Sequence, residues 1–173
     1  MNDVTFLRWP TPYDSRRQSD IKNTRTETYF PTVSSADSHP LKVASLVERH
    51  PKTRFLLMHL AYPWSRDLLG MAFVYRNIWI DLTWSALLSP SHFKLALHEA
   101  IDILPDDSRM MFGGDNWHIE ETYATIRTFR RLIAEVLSEK VEQGAFDEEH
   151  AKRLASRILS QNATAFFKLS LAG

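Results

Sequence analysis

The stretch Met110-Met111-Phe112-Gly113-Gly114-Asp115-Asn116-Trp117 constrains this chain most. A short apolar run ends in two glycines and a carboxylate, and a long helical pattern follows at once. That is how a strand hands over to a helix with an acid at the strand's C-terminal end. In parallel α/β architectures, active sites are built at that end of the strands. Two earlier segments repeat this strand-then-helix pattern, and one of them carries His59 at the matching place.

From Pro40 onward the pattern is regular. Pro40 marks a helix start after Asp37 or Ser38 as caps, and the apolar stripe Leu41, Ala44, Leu46, Val47 stops near His50-Pro51. Arg54–Leu60 is a continuous apolar run with one late histidine, as suits a parallel strand buried on both faces. Ser65–Tyr75 reads as a helix with Leu68, Leu69, Ala72 and Phe73 on its apolar side. Asn77–Trp84 reads as a second strand. Ser89-Pro90 opens a further helix, with Phe93, Leu95, Ala96, Leu97, Ala100 and Ile101 apolar, ending before Pro105. Arg109–Gly113 is a third strand. A long helix spans about Glu120 to Glu142, stopped by Gly144, and Asp147 caps a last helical pair to about Phe167. Strands alternating with helices predict a parallel sheet with right-handed crossovers. The fold class is therefore α/β.

Residues 1–38 read differently. Prolines interrupt them and no period persists, so an irregular arm is expected, with Thr5–Trp9 as a short strand if any forms. Residues 39–173 make up the folded part.

Composition excludes several functions. Lys+Arg and Asp+Glu are both 21, so there is no electrostatic footprint for nucleic acid or an anionic membrane. The chain has no cysteine, which excludes disulfides, thiolate metal sites and cysteine nucleophiles, and fits a reducing, cytoplasmic setting. No signal peptide and no run of about 20 apolar residues is present, so no membrane role is expected. Dinucleotide, P-loop, zincin and serine-elbow motifs are absent. His92 and His98 lie six apart, a spacing that does not put them on one helix face.

Asp115 can ligate a metal or act as a general base, or simply cap a helix or turn. His59 can ligate zinc or manganese or act as an acid or base, or be a hydrogen-bonded core histidine. Asp81 either faces the interior or pairs with a cation. Trp84, Trp117 and Tyr62 are candidate pocket walls, and His118 follows Asp115 by three residues.

The order His39-Pro40-Leu41, Phe55–Pro63, Ile80–Trp84 and Phe112–Asp115 resembles the C-terminal part of the amidohydrolase superfamily, the metal-dependent hydrolases of TIM-barrel fold. The ending Ile158–Ala163 and Phe166–Leu169 is similar to that family's closing helices. The resemblance implies a partial barrel, about its last three βα units with the C-terminal helices. It implies a divalent cofactor, zinc or else manganese, with His59 and Asp115 as metal or catalytic positions after strands six and eight. Trp84, Trp117, Tyr62 and His118 would then bind a small-molecule substrate. The chain departs from the family pattern in having no His-x-His pair, and residues 1–38 cannot hold five further βα units. A whole barrel takes about 250 residues. The expected activity is metal-assisted hydrolysis at a carbonyl-type carbon, with decarboxylation or sugar-acid isomerisation as relatives of that chemistry. The contrasting expectation is a non-catalytic module. Exposed sheet edges would favour a homo-oligomer or a partner chain that completes the barrel.

Overall fold

The computed structural model describes the backbone of residues 4–7 and the whole of residues 39–169. Four parallel strands form one sheet in the order β1-β2-β3-β4: Val4–Leu7, Arg54–Leu57, Ile78–Asp81 and Met110–Met111. The strands run in sequence order and every pairing is parallel, so each strand starts at the same end of the sheet. Among the described residues the sheet is open. The strand expected at Thr5–Trp9 is present as Val4–Leu7, in register with all of β2. Arg8 and Trp9 lie outside the described residues, as do the expected caps Asp37 and Ser38.

The capping at Pro40 falls to His39 instead. Its Nδ1 accepts from the Leu41 amide at 3.4 Å and opens a 3-10 turn, Pro40–Val43, that continues into α1, Ala44–Arg49. Helix α2 is Ser65–Val74, the short α3 is Ser85–Leu88, and α4 is Pro90–Ile103 with Ser89 as its cap. Helix α5, Ile119–Glu142, ends in a Schellman motif: the Gly144 amide donates to Val141 O and the Ala145 amide to Lys140 O. Gly144 has φ +74°, which a side chain would resist. Asp147 accepts from the His150 amide at 2.7 Å and starts α6, Glu148–Ser156, which runs through a π-helical turn, Arg157–Gln161, into α7, Asn162–Phe167.

The strands are shorter than the apolar runs predict because each run overshoots into the turn beyond it. Alternation divides the sheet's two faces. Phe55, Leu57, Ile78, Ile80 and Met110 enter the main core against α2, α4 and α5. Leu56 and Met111 enter a smaller one with Phe166 and Trp79, and the Arg54 guanidinium lies over the Phe166 ring at 4.5 Å. Phe73 and Leu95, expected on apolar stripes, are exposed. The outer edge of β4 is covered from the C-terminal helices: Phe112 N donates to Ile158 O, and Asn162 Nδ2 donates to Met110 O and Asp107 O, each at 2.7 Å.

Candidate functional site

Three strand ends converge. β2 stops at Leu57, and the chain turns through His59, Leu60 and Ala61, with φ of 60°, 51° and 47°. Each left-handed non-glycine residue costs roughly 1–2 kcal/mol, so three in succession must be held by their surroundings. The apolar run hides this turn from a sequence reading, since Leu60 and Ala61 satisfy a strand pattern equally well. The turn swings His59 off the strand line and buries it to 3% exposure.

His59 Nδ1 lies 3.2 Å from the Thr83 carbonyl, just past the end of β3. A carbonyl only accepts, so Nδ1 carries the hydrogen and the neutral ring keeps its lone pair on Nε2. A backbone carbonyl bonded to one ring nitrogen in this way fixes the tautomer and orientation of a histidine whose other nitrogen ligates or accepts a proton. The ring also stacks at a tilt on Trp84, with centroids 5.5 Å apart.

Asp81 is the last residue of β3 and is 6% exposed. Its Oδ1 accepts from the Thr83 amide at 2.5 Å. Burial pushes the carboxyl up to about 6 against the opposing bonds from Thr83, and the nearby Asp115 charge adds to the rise. The buried carboxylate thus fixes the turn that presents the Thr83 carbonyl to His59. Thr83 was not singled out in the sequence because what it contributes to His59 is a backbone carbonyl, which any residue has.

The third strand end supplies Asp115. Neither glycine before it takes a positive φ; that falls on Asp115 itself, at 49°. Gly113 serves a different need. A Cβ there would overlap Thr83 Oγ1 and stand 3.0 Å from Asp81 Oδ2, so β4 can approach β3 only without a side chain. Trp84, also left-handed at φ 61°, donates its indole N–H to the Asp115 carbonyl at 2.9 Å.

The geometry therefore brings His59, Asp81, Trp84 and Asp115 into one group at the C-terminal edge of the sheet. Trp117 and His118 stand apart from the contacts that assemble it. Trp117 is 63% exposed with its amide on Glu121 Oε2, and His118 is the exposed first residue of the α5 cap, with no side-chain capping bond. Tyr62 is partly exposed and meets the His92 ring edge-on at 4.9 Å. His92 and His98 have separate partners, Ser65 and Glu139.

Among the described residues no group of three His, Cys, Asp or Glu side chains could hold a metal ion. A catalytic zinc site takes three protein ligands. His59 and Asp115 provide two suitable donors, so the described residues do not by themselves fit a complete metal centre. No helix of the described residues is long and apolar enough to cross a membrane.

The chain is 29% identical over 135 residues to Protein fluG of Emericella nidulans, a match that covers 77% of this chain and 16% of that protein. A solved structure described as a metal-dependent hydrolase from Lactobacillus casei ATCC 334 superposes with a TM-score of 0.62 at 23% identity, covering 75% of this chain and 34% of its own. That second likeness is one of fold. The amidohydrolase family model matches residues 29–169, a span that contains the β2, β3 and β4 strand ends and the helices that close the sheet. A match of that extent, over the residues that build the site, makes this chain a member of the amidohydrolase family.

Proposed function

We propose that the chain forms the part of an amidohydrolase active site that lies after strands six to eight of a partial TIM barrel, and that it serves hydrolysis of a small carbonyl-type substrate. Family membership supports the reaction class. The observation that carries the residue assignment is the hydrogen-bonded turn from Asp81 to Trp84, which touches both His59 and Asp115. In this reading Asp115 orients the attacking water and takes its proton as the oxygen–carbon bond forms, then returns that proton to the leaving group as its own bond to the carbonyl carbon breaks. His59, with Nδ1–H committed to Thr83, offers Nε2 as a donor atom toward a cation. Protonated, it donates Nε2–H to the carbonyl oxygen instead. Trp84 forms a wall, with Tyr62, Trp117 and His118 as the outer residues that meet the substrate.

A divalent ion, zinc or else manganese, is the cofactor the family implies, and it would supply water activation and carbonyl polarisation. His59 and Asp115 are this chain's donors to it. A second reading is favoured by the lack of a three-donor cluster among the described residues: a module that lacks catalysis of its own, or that shares a site with a second copy or a partner chain.

A screen of esters, amides and lactones with added zinc or manganese tests the first reading, with H59A and D115A beside the wild type. Turnover lost in both variants supports it. No turnover with any substrate supports the module reading. Release of carbon dioxide or isomerised product in place of hydrolysis assigns the decarboxylase or isomerase branch.

A further inference from the structure

We infer that Ser65 and His92 are positioning residues for His59, acting through the carbonyl of Leu60; this rests on the reading of His59 as a site residue. The left-handed run His59-Leu60-Ala61 is an arrangement that persists only where neighbouring groups hold it. Three backbone bonds tie its ends: Ala61 N to Met58 O at 3.1 Å, Tyr62 N to His59 O at 3.0 Å, and Trp64 N to Ala61 O at 2.7 Å. The middle residue is held from outside the turn. Ser65, first residue of α2 and 1% exposed, donates its hydroxyl to Leu60 O at 2.7 Å.

That bond fixes the rest of the chain of contacts. A serine hydroxyl has one hydrogen, and Leu60 O takes it. Ser65 Oγ therefore accepts from His92 Nε2, which lies 2.7 Å away. His92 sits in the first turn of α4, its amide bonded to Ser89 Oγ and its ring against Tyr62. Ser65 is thus polarised by a donor on α4 and anchored on the turn that aims His59. The pair is no nucleophile and base: the hydroxyl proton points away from the imidazole, and the oxygen is sealed from solvent. Its geometry suits a brace running from α4 through Ser65 to the Leu60 peptide. That carbonyl belongs to the Leu60–Ala61 peptide, the next along the turn from His59, whose side chain reaches Thr83 O at 3.2 Å.

The test reads the His59 ring directly, without an assay. Protein labelled with 15N at histidine is examined by long-range proton–nitrogen correlation, with His59 assigned by its loss in H59Q. Wild type is expected to show His59 as a single Nδ1–H tautomer. S65A and H92F should show mixed tautomers at His59, with the Ala61, Tyr62 and Trp64 amides exchanging about ten-fold faster. H92Q, whose side-chain amide can donate to Ser65 Oγ, should restore the wild-type spectrum. The milder S65A keeps the test open if H92F does not fold. A His59 ring and turn amides unchanged in S65A would overturn the brace, as would an H92Q protein no better than H92F. A wild-type His59 that is not the Nδ1–H form would overturn the site reading together with the brace, which separates the two failures.

Discussion

The indole N–H of Trp84 donates to the backbone carbonyl of Asp115 at 2.9 Å, while its ring stacks on His59 at 5.5 Å. One side chain from the end of β3 thus touches the residues beyond β2 and β4. Replacing Trp84 with Phe keeps a ring beside His59 and removes the donor. The expected result is a loss of about 1 kcal/mol in stability and faster amide exchange at 113–116, with exchange in α5 unchanged. Equal exchange at 113–116 in both proteins would show that the bond does not order the Asp115 turn.

Asp81 makes stability depend on pH in an uncommon direction. Its folded carboxyl titrates at about 6 against 3.8 ordinarily, mainly through burial. The native state therefore binds the proton more tightly than the unfolded chain between those values. Stability from this group is fully present below about pH 3.8 and is lost as pH rises through about 6. The amplitude is on the order of 3 kcal/mol. Asp81→Asn keeps an oxygen for the Thr83 amide and has no charge to bury. Urea midpoints measured from pH 4 to 8 should show D81N gaining on wild type through that window, with a flat difference above pH 7. A constant difference across the range would mean that Asp81 is not titrating there.

Gly113→Ala should cost about 1–3 kcal/mol, the usual range for overpacking, because the added methyl would overlap Thr83 Oγ1 and crowd Asp81 Oδ2. Thr83 is buried and β-branched, so it has little room to rotate away. Denaturant midpoints check this, and the double variant G113A/T83S should recover part of the loss. No recovery would place the strain elsewhere.

What the sequence made legible is what periodicity and caps encode. The α5 pattern, its stop at Gly144, the Asp147 and Ser89 caps and the parallel sheet all follow from local chemistry. His59, Asp81 and Asp115 stood out as polar residues at or near the ends of apolar runs, although each also fitted a cap, a core histidine or an ion pair. The left-handed turn did not show, since a backbone dihedral leaves no trace in a triplet such as His-Leu-Ala. The capping by His39, the anchoring by the Thr83 carbonyl and the Ser65–His92 contact escaped for a related reason. Each pairs residues whose match exists only once the chain is folded, in the last two cases across 24 and 27 positions.

Asn162 belongs to a segment that the sequence marked only as a closing helix. Its side-chain amide donates to Met110 O and Asp107 O and is buried. Asn162→Ala leaves two carbonyls beside β4 without that donor and should cost about 1–3 kcal/mol, read as a lowered thermal midpoint. An unchanged midpoint would show that water or backbone replaces the amide there.

The central claim is that His59 and Asp115 act in one site. The most direct measurement is a double-mutant cycle on the hydrolysis rate, with H59A, D115A and the combined variant assayed on a substrate the wild type turns over. Each single change should lower kcat/KM by on the order of 10²- to 10⁴-fold. The double variant should lose little more than the worse single one, as for residues that act as a unit. Rates that stay at wild-type level in either single variant, or losses that simply multiply in the double, would contradict the account.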